Sequence, residues 1–198
     1  MDQLDANVIR ESVRKRYADV ARSAAGRFEY LTGRAGALAL GYESSLLDGM
    51  ADETLVTFCG LGNPFSLGPV HPAEAVLDIG CGAGVDLVIA VHLVGRNGRV
   101  CGIDLTPEMV EKAQASMEQI GLRHTEIAMG TAEAIPFDDE SFDVIISNGV
   151  LNLSPLKEQS YREIFRVLRP GGRLQFADIV LKGDFAPEVA GNLDAWSD

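Results

Sequence analysis

Gly80, Gly82 and Gly84 recur at every second residue directly after the apolar run Val76-Leu77-Asp78-Ile79, and a helical pattern follows them. Glycine has no Cβ, so such a turn can bend sharply and let a ligand lie against the backbone, while the helix behind it offers N–H groups without intrahelical partners. Twenty residues after Gly84, a second apolar run, Gly98 to Ile103, ends in Asp104. A carboxylate at that place accepts hydrogen bonds from a ribose diol. Strand, glycine turn, helix, strand and acid together point to a nucleotide-cofactor site.

The detail of the turn separates one cofactor from another. A dinucleotide fingerprint has the form G-x-G-x-x-G and sets a pyrophosphate on the helix N-terminus. Here the third place is Val85, with glycine one residue earlier, and Asp78 stands two residues before the first glycine. Its negative charge opposes a pyrophosphate and suits a cofactor with a positive centre. The Asp78-x-Gly80-x-Gly82-x-Gly84 pattern followed by Asp104 resembles the first two motifs of the class I S-adenosylmethionine-dependent methyltransferases. Four further stretches resemble the arsenite methyltransferases among them: Gly102 to Met109, Gly130 to Phe137, Ile145 to Pro155 and Phe165 to Arg173. Gly62-Asn63-Pro64 matches them too, so the resemblance runs over residues 40 to 182.

The resemblance implies S-adenosyl-L-methionine as cofactor and a role for each matching position. Asp78, Gly80, Gly82 and Gly84 pass close to its methionine part, Asp104 holds the ribose hydroxyls, and Leu105 lies against the adenine. Thr131 and Ala132 meet the adenine edge, and Asn148 faces the methyl-transfer end. Arsenite methyltransferases hold trivalent arsenic with cysteine thiolates, two of them at places that are Leu61 and Gly149 here. Neither residue can ligate a soft metalloid. Cys59, two residues upstream of Leu61, and Tyr17 are the candidates for substrate contact, with Tyr42 beside them. The expected reaction is methyl transfer to a small-molecule acceptor other than arsenite. The alternative is a cofactor-binding protein without turnover, and a third reading, an NAD-dependent oxidoreductase, is disfavoured by Val85 and Asp78. No catalytic side chain is assigned, because displacement at a sulfonium methyl needs mainly orientation and exclusion of water.

Composition narrows the partners. The net charge of −12 disfavours binding to nucleic acid or to an anionic membrane surface, which draw on clustered Lys and Arg. The N-terminus lacks a basic stretch leading into an apolar one, and no run approaches the length of a transmembrane helix, so a cytoplasmic location is expected. Cys59, Cys81 and Cys101 show no metal or disulfide spacing, and no metal site is expected. His71, His92 and His124 have no partner at ligand spacing and read as surface or structural residues.

The elements that must position these residues follow from periodicity. Residues 5 to 25 predict a helix capped by Asp5, with Val8, Ile9, Val13, Tyr17, Val20, Ala21 and Ala24 on one face and a solvated basic face of Arg10, Glu11, Arg14, Lys15, Arg16 and Arg22. Residues 26 to 73 carry too many glycines for a long element and are expected to act as a lid or substrate-capping segment. Strands are expected at 76–79, 99–103, 124–129, 141–148 and 173–180. Helices are expected at 84–94, from Pro107 behind a Thr106 cap to Gly121, and near 157–168; a turn at Arg169 to Gly172 leads into the last strand. The fold class is α/β, a doubly wound, mostly parallel Rossmann-like sheet. We divide the chain into an N-terminal helical or lid segment (1–73), the cofactor-binding domain (74–182) and a tail (183–198). The resemblance implies two more strands after the fifth, and the 18 residues beyond Val180 do not hold them. The expectation is a truncated C-terminus, or else a fifth strand whose apolar edge is covered by a second copy of the chain.

Overall fold

The computed structural model describes residues 5–121 and 125–180. Five parallel strands form its centre: β1 (Ala75–Ile79), β2 (Arg99–Asp104), β3 (Glu126–Met129), β4 (Phe142–Asn148) and β5 (Leu168–Ala177), in the spatial order β3-β2-β1-β4-β5. The chain leaves β1 in one direction for β2 and β3, then returns to the other side for β4 and β5. The crevice between β1 and β4, where that direction reverses, is the place where ligands sit in sheets of this kind. The expected α/β doubly wound sheet is therefore present, all-parallel over its described strands.

Seven α-helices accompany it among the described residues: α1 (Ala6–Val20), α2 (Gly33–Ala39), α3 (Ser44–Leu47), α4 (Asp52–Leu55), α5 (Val85–Val94), α6 (Pro107–Gln119) and α7 (Lys157–Val167). Strand alternation splits the core in two. Val76, Val144 and Ile146 face α5, whereas Leu77, Ile79 and Ile145 face Ile164 and Val167 of α7. Asp78 falls on the α5 face with Val76, and this parity decides which neighbours its carboxylate meets.

Several elements differ from the sequence expectation for physical reasons. Asp5 caps α1 as expected, accepting from Asn7 N at 2.7 Å, but the helix stops at Val20, and Val8 is 47% exposed rather than on the buried face. Thr106 occupies the cap position of α6 without a side-chain cap bond; its backbone N–H donates to Asp104 Oδ1 at 2.8 Å, and its side chain bonds the same carboxylate. The turn at Arg169 to Gly172 lies inside β5: Phe142 pairs with Leu168 and Val144 with Arg173, so the extra residues bulge out of the ladder at Gly171, whose φ is +83°. β5 ends at Ala177 instead of Val180. Residue 124, His124 included, and the tail from 181 onward lie outside the described residues.

Residues 26–73 contribute to the same packing as α5. Leu47 and Ala37 are fully buried there, Tyr42 stacks edge-on against Phe58 at 5.4 Å, and Thr54 Oγ1 meets Ser116 Oγ of α6 at 2.6 Å. At the far edge Gln175 Nε2 of β5 donates to Pro64 O at 2.9 Å. The Leu47→Ala substitution is accordingly expected to lower stability by about 2–5 kcal/mol, the cost of a buried cavity. Urea unfolding measures it, and a loss under about 1 kcal/mol marks the segment as a peripheral flap.

Candidate functional site

The glycine turn folds as its spacing demands. Gly80, Gly82 and Gly84 have φ of +73°, +52° and +96°, left-handed values that strain any residue with a Cβ. At Gly80 the restriction is also steric, since a Cβ there would sit 2.3 Å from Val150 Cγ2. Gly80 N and Cys81 N both donate to Ile103 O, at 2.8 and 3.0 Å, which ties the turn to the end of β2. Asp104 completes the tie: its Oδ2 accepts from Gly82 N at 3.0 Å while its Oδ1 accepts from Thr106 N. Burial pushes the Asp104 carboxyl up, and the backbone N–H groups pull it back toward the charged form.

An open cleft of about 1050 Å3 runs along this turn at the β1–β4 crevice. Eight of the nine positions expected to hold the cofactor line it: Asp78, Gly80, Gly82, Asp104, Leu105, Thr131, Ala132 and Asn148. Gly84 does not; it caps the start of α5 and packs against Ala113 and Met117 of α6. Asp78 is 2% exposed, and its Oδ2 has no hydrogen-bond partner. Burial first, then the carboxylates of Asp86 and Asp104, drive the Asp78 carboxyl well above its ordinary value. The site thus holds a buried acid with an unused acceptor and acidic neighbours, an arrangement that repels phosphate and fits a cation.

Asn148 sits at the end of β4 with every polar atom engaged. Its Oδ1 accepts from Leu61 N at 2.8 Å and from Gly62 N at 3.1 Å; its Nδ2 donates to Gly62 O at 2.9 Å, to Tyr42 Oη at 3.1 Å and to Asp86 Oδ2 at 3.3 Å. Tyr42 Oη in turn donates to Asp86 Oδ1 at 2.7 Å. Asn148 therefore clasps the 60–62 loop across the strand ends. Glycine is required on the loop because a Cβ at Gly60 would lie 2.3 Å from Asn148 Nδ2, and one at Gly62 would lie 2.5 Å from Ala177 Cβ.

The third wall comes from α1. Arg10, Val13 and Tyr17 line the cleft, and Arg10 Nε stands 3.7 Å from Oε1 of Glu133, a buried acid that also accepts from Ser154 Oγ at 2.8 Å. The basic face of α1 is thus only partly solvated. Arg14 and Lys15 pair with Glu11 on the outside, but Arg10 turns inward and Arg16 lies 5.2 Å over the Phe28 ring.

With this geometry in place, the sequence profile of the family described as "Methyltransferase domain" matches residues 70–197. The chain belongs to that family. The arsenite methyltransferase of Halobacterium salinarum is 36% identical over 199 residues, which take in 93% of this chain and 51% of the relative. Among solved structures, an arsenic (III) S-adenosylmethionine methyltransferase from Chlamydomonas reinhardtii aligns at a TM-score of 0.62 and 36% identity, covering 68% of this chain and 48% of the other. A SAM-dependent methyltransferase from Aquifex aeolicus aligns at a TM-score of 0.56 and 26% identity, covering 73% and 78%. The methyltransferase domain described here spans about half the length of the curated relatives it matches.

Within the methyltransferase domain, the two places at which the resemblance implies thiols come together. A Cβ at Gly149 would lie 3.1 Å from Leu61 Cγ, so the leucine side chain occupies the room beside the glycine, and neither position offers sulfur. Cys59 lines the cleft and packs with Val20, Ala24 and Met109; burial and the Asp104 carboxylate push its thiol up to about 12. Tyr17 sits beside it, 6.5 Å from Phe28 between ring centroids. Sequence reading did not single out Asp86, Glu133 or Arg10. Asp86 was hidden by its place in the first turn of α5, where an acid complements the helix dipole and needs no further reason. Among the described residues, no helix is long and apolar enough to cross a membrane.

Proposed function

We propose that this methyltransferase domain binds S-adenosyl-L-methionine in the β1–β4 crevice and catalyses transfer of its methyl group to a small-molecule acceptor. The observation that carries the reading is the buried, unpartnered Asp78 Oδ2 beside the glycine turn, with the second acid, Asp104, one strand away. These residues fit a nucleoside with a cationic head: Asp78 toward the amino-acid part, Asp104 toward the ribose hydroxyls, and Leu105, Thr131 and Ala132 around the base. When bound, the cofactor supplies a methyl group on a sulfonium, already activated toward displacement. The chain's own part is to orient and to exclude water. Asn148 fixes the 60–62 loop over the reacting end, while Tyr17 and Cys59 close the wall under α1.

Leu61 and Gly149 favour an acceptor other than arsenite, since they offer no thiolate pair for a soft metalloid. We place the domain in the cytoplasm and away from nucleic acid. Pairing of two copies along β5 is part of the same proposal; Phe176, 37% exposed on that edge strand, supports it.

Titration calorimetry with S-adenosylhomocysteine, NADH and arsenite in parallel tests the reading. The expected result is micromolar binding of S-adenosylhomocysteine, about −8 kcal/mol, with no heat from the other two. Preferential binding of NADH overturns the cofactor, and stoichiometric arsenite heat overturns the acceptor class.

A further inference from the structure

Two carboxylates, not one, stand at the cationic end of the cleft. Asp78 comes from β1 and is 2% exposed; Asp86 comes from the first turn of α5 and is 7% exposed. Both line the cleft. The groups that face them are Asp104 from β2, Tyr42 from the segment after α2, Asn148 from β4 and Cys81 from the glycine turn. Each of these is acidic or neutral. Two buried carboxylates among acidic and neutral neighbours cannot both stay ionised at moderate pH.

The hydrogen bonds place the charge within the pair. Both Asp86 oxygens already accept, Oδ1 from Tyr42 Oη at 2.7 Å and Oδ2 from Asn148 Nδ2 at 3.3 Å, which suits an ionised carboxylate. Asp78 Oδ2 has no such donor. The proton belongs on Asp78 and the charge on Asp86.

We infer that Asp86 is a second carboxylate of the ammonium subsite and that it shares one proton with Asp78 until a ligand's ammonium group takes that proton's place. The inference rests on the reading of the cleft as an S-adenosylmethionine site and adds a residue and a proton balance to it. The step is an exchange: the ligand enters with its amino group already protonated, Asp78 gives its proton to the buffer, and two carboxylates then face one cation. The directions agree, because burial lifts Asp86 to about 6 and also lifts Asp78, on which the Asp86 and Asp104 carboxylates press as well, so the empty pair holds its proton more firmly than free carboxyls do. Binding that releases a proton tightens as pH rises.

Calorimetry of the chain in buffers of different ionisation enthalpy measures the exchange, with two ligands compared. S-adenosylhomocysteine is expected to release about one proton per site near pH 6, and its Kd to fall about tenfold per pH unit there, the gain levelling off once the empty pair has ionised. 5′-Deoxy-5′-methylthioadenosine has the same nucleoside without the amino-acid head and is expected to bind with no linked proton. Asp86→Asn is expected to move the release for S-adenosylhomocysteine to lower pH, because the repulsion on Asp78 is gone while its burial remains, and to leave binding measurable; if that variant does not fold, the two-ligand comparison on the unaltered chain decides alone. Binding of S-adenosylhomocysteine with identical heats in all buffers, or equal release by both ligands, overturns the inference and leaves the cofactor reading intact. Failure of both ligands to bind overturns the cofactor reading, and the inference with it.

Discussion

Replacing Asp104 by Ala is expected to weaken S-adenosylhomocysteine binding by at least about 100-fold. The carboxylate accepts from Gly82 N and Thr106 N, so its loss frees two buried N–H groups at the turn and at the start of α6. Charge-assisted bonds of this kind are worth about 1.5–3 kcal/mol each, and the bonds expected from a ribose diol disappear as well; about 2.7 kcal/mol already gives the 100-fold change. Asp104→Asn keeps one carbonyl oxygen but turns an amide N–H₂ toward one of the two backbone donors, and it is expected to fall between the parent and the alanine variant. Calorimetry gives the Kd, and circular dichroism separates lost affinity from lost fold. An alanine variant within threefold of the parent would show that Asp104 only braces the turn.

Asn148→Ala is expected to cost about 3–5 kcal/mol of stability and most of the activity. Two backbone groups, Leu61 N and Gly62 N, lose their partner at once, Gly62 O is left with Tyr42 Oη at 3.3 Å alone, and each buried polar group left unsatisfied costs about 1–3 kcal/mol. Domains of this size are stable by only about 5–15 kcal/mol, so the loss is a large share of the whole. Asn148→Asp tests the direction of the bonds. Its second carboxylate oxygen replaces the donor that faces Gly62 O and Asp86 Oδ2, so acceptor meets acceptor. That variant holds a carboxyl whose pKa is raised in the fold by the Asp86 charge. Its stability is therefore greatest at low pH and falls as pH rises through the folded-state pKa, the unfolded chain binding fewer protons over that window. Thermal unfolding across pH 4 to 8 reads this slope against the parent, and parallel curves for the two proteins would sink the account.

The glycine turn, Asp78 and Asp104 were legible because their geometry is local. Positive φ at alternate residues requires glycine in the chain itself, and the acid at the end of β2 falls where register sets it. β1, β2 and β4 were legible for a similar reason, since strands buried on both faces read as short apolar runs. The Tyr42–Asp86–Asn148 network was not. Its members are 44, 62 and 106 residues apart in pairs, and nothing in the sequence near one of them points to the others. Arg10 was misplaced on a solvated face because periodicity assigns a helix one buried side, whereas α1 has the cleft with Glu133 on another. The turn at Arg169 to Gly172 was right in its residues and wrong in its place, because only pairing with β4 shows that the extra residues bulge from a strand.

The clasp at the strand ends also sets an order of events. Leu61 waits 87 residues for Asn148, and Pro64 waits 111 for Gln175. The residues of α1 to α4 therefore precede in the chain the strands that anchor them, and helices as short as α2, α3 and α4 are marginal until those contacts form. Contacts of such sequence separation slow folding, because the entropy of closing the intervening loop is spent before the contact returns anything. A ligand that fits the cleft therefore recognises only a chain in which contacts as distant as Leu61 with Asn148 have already been made.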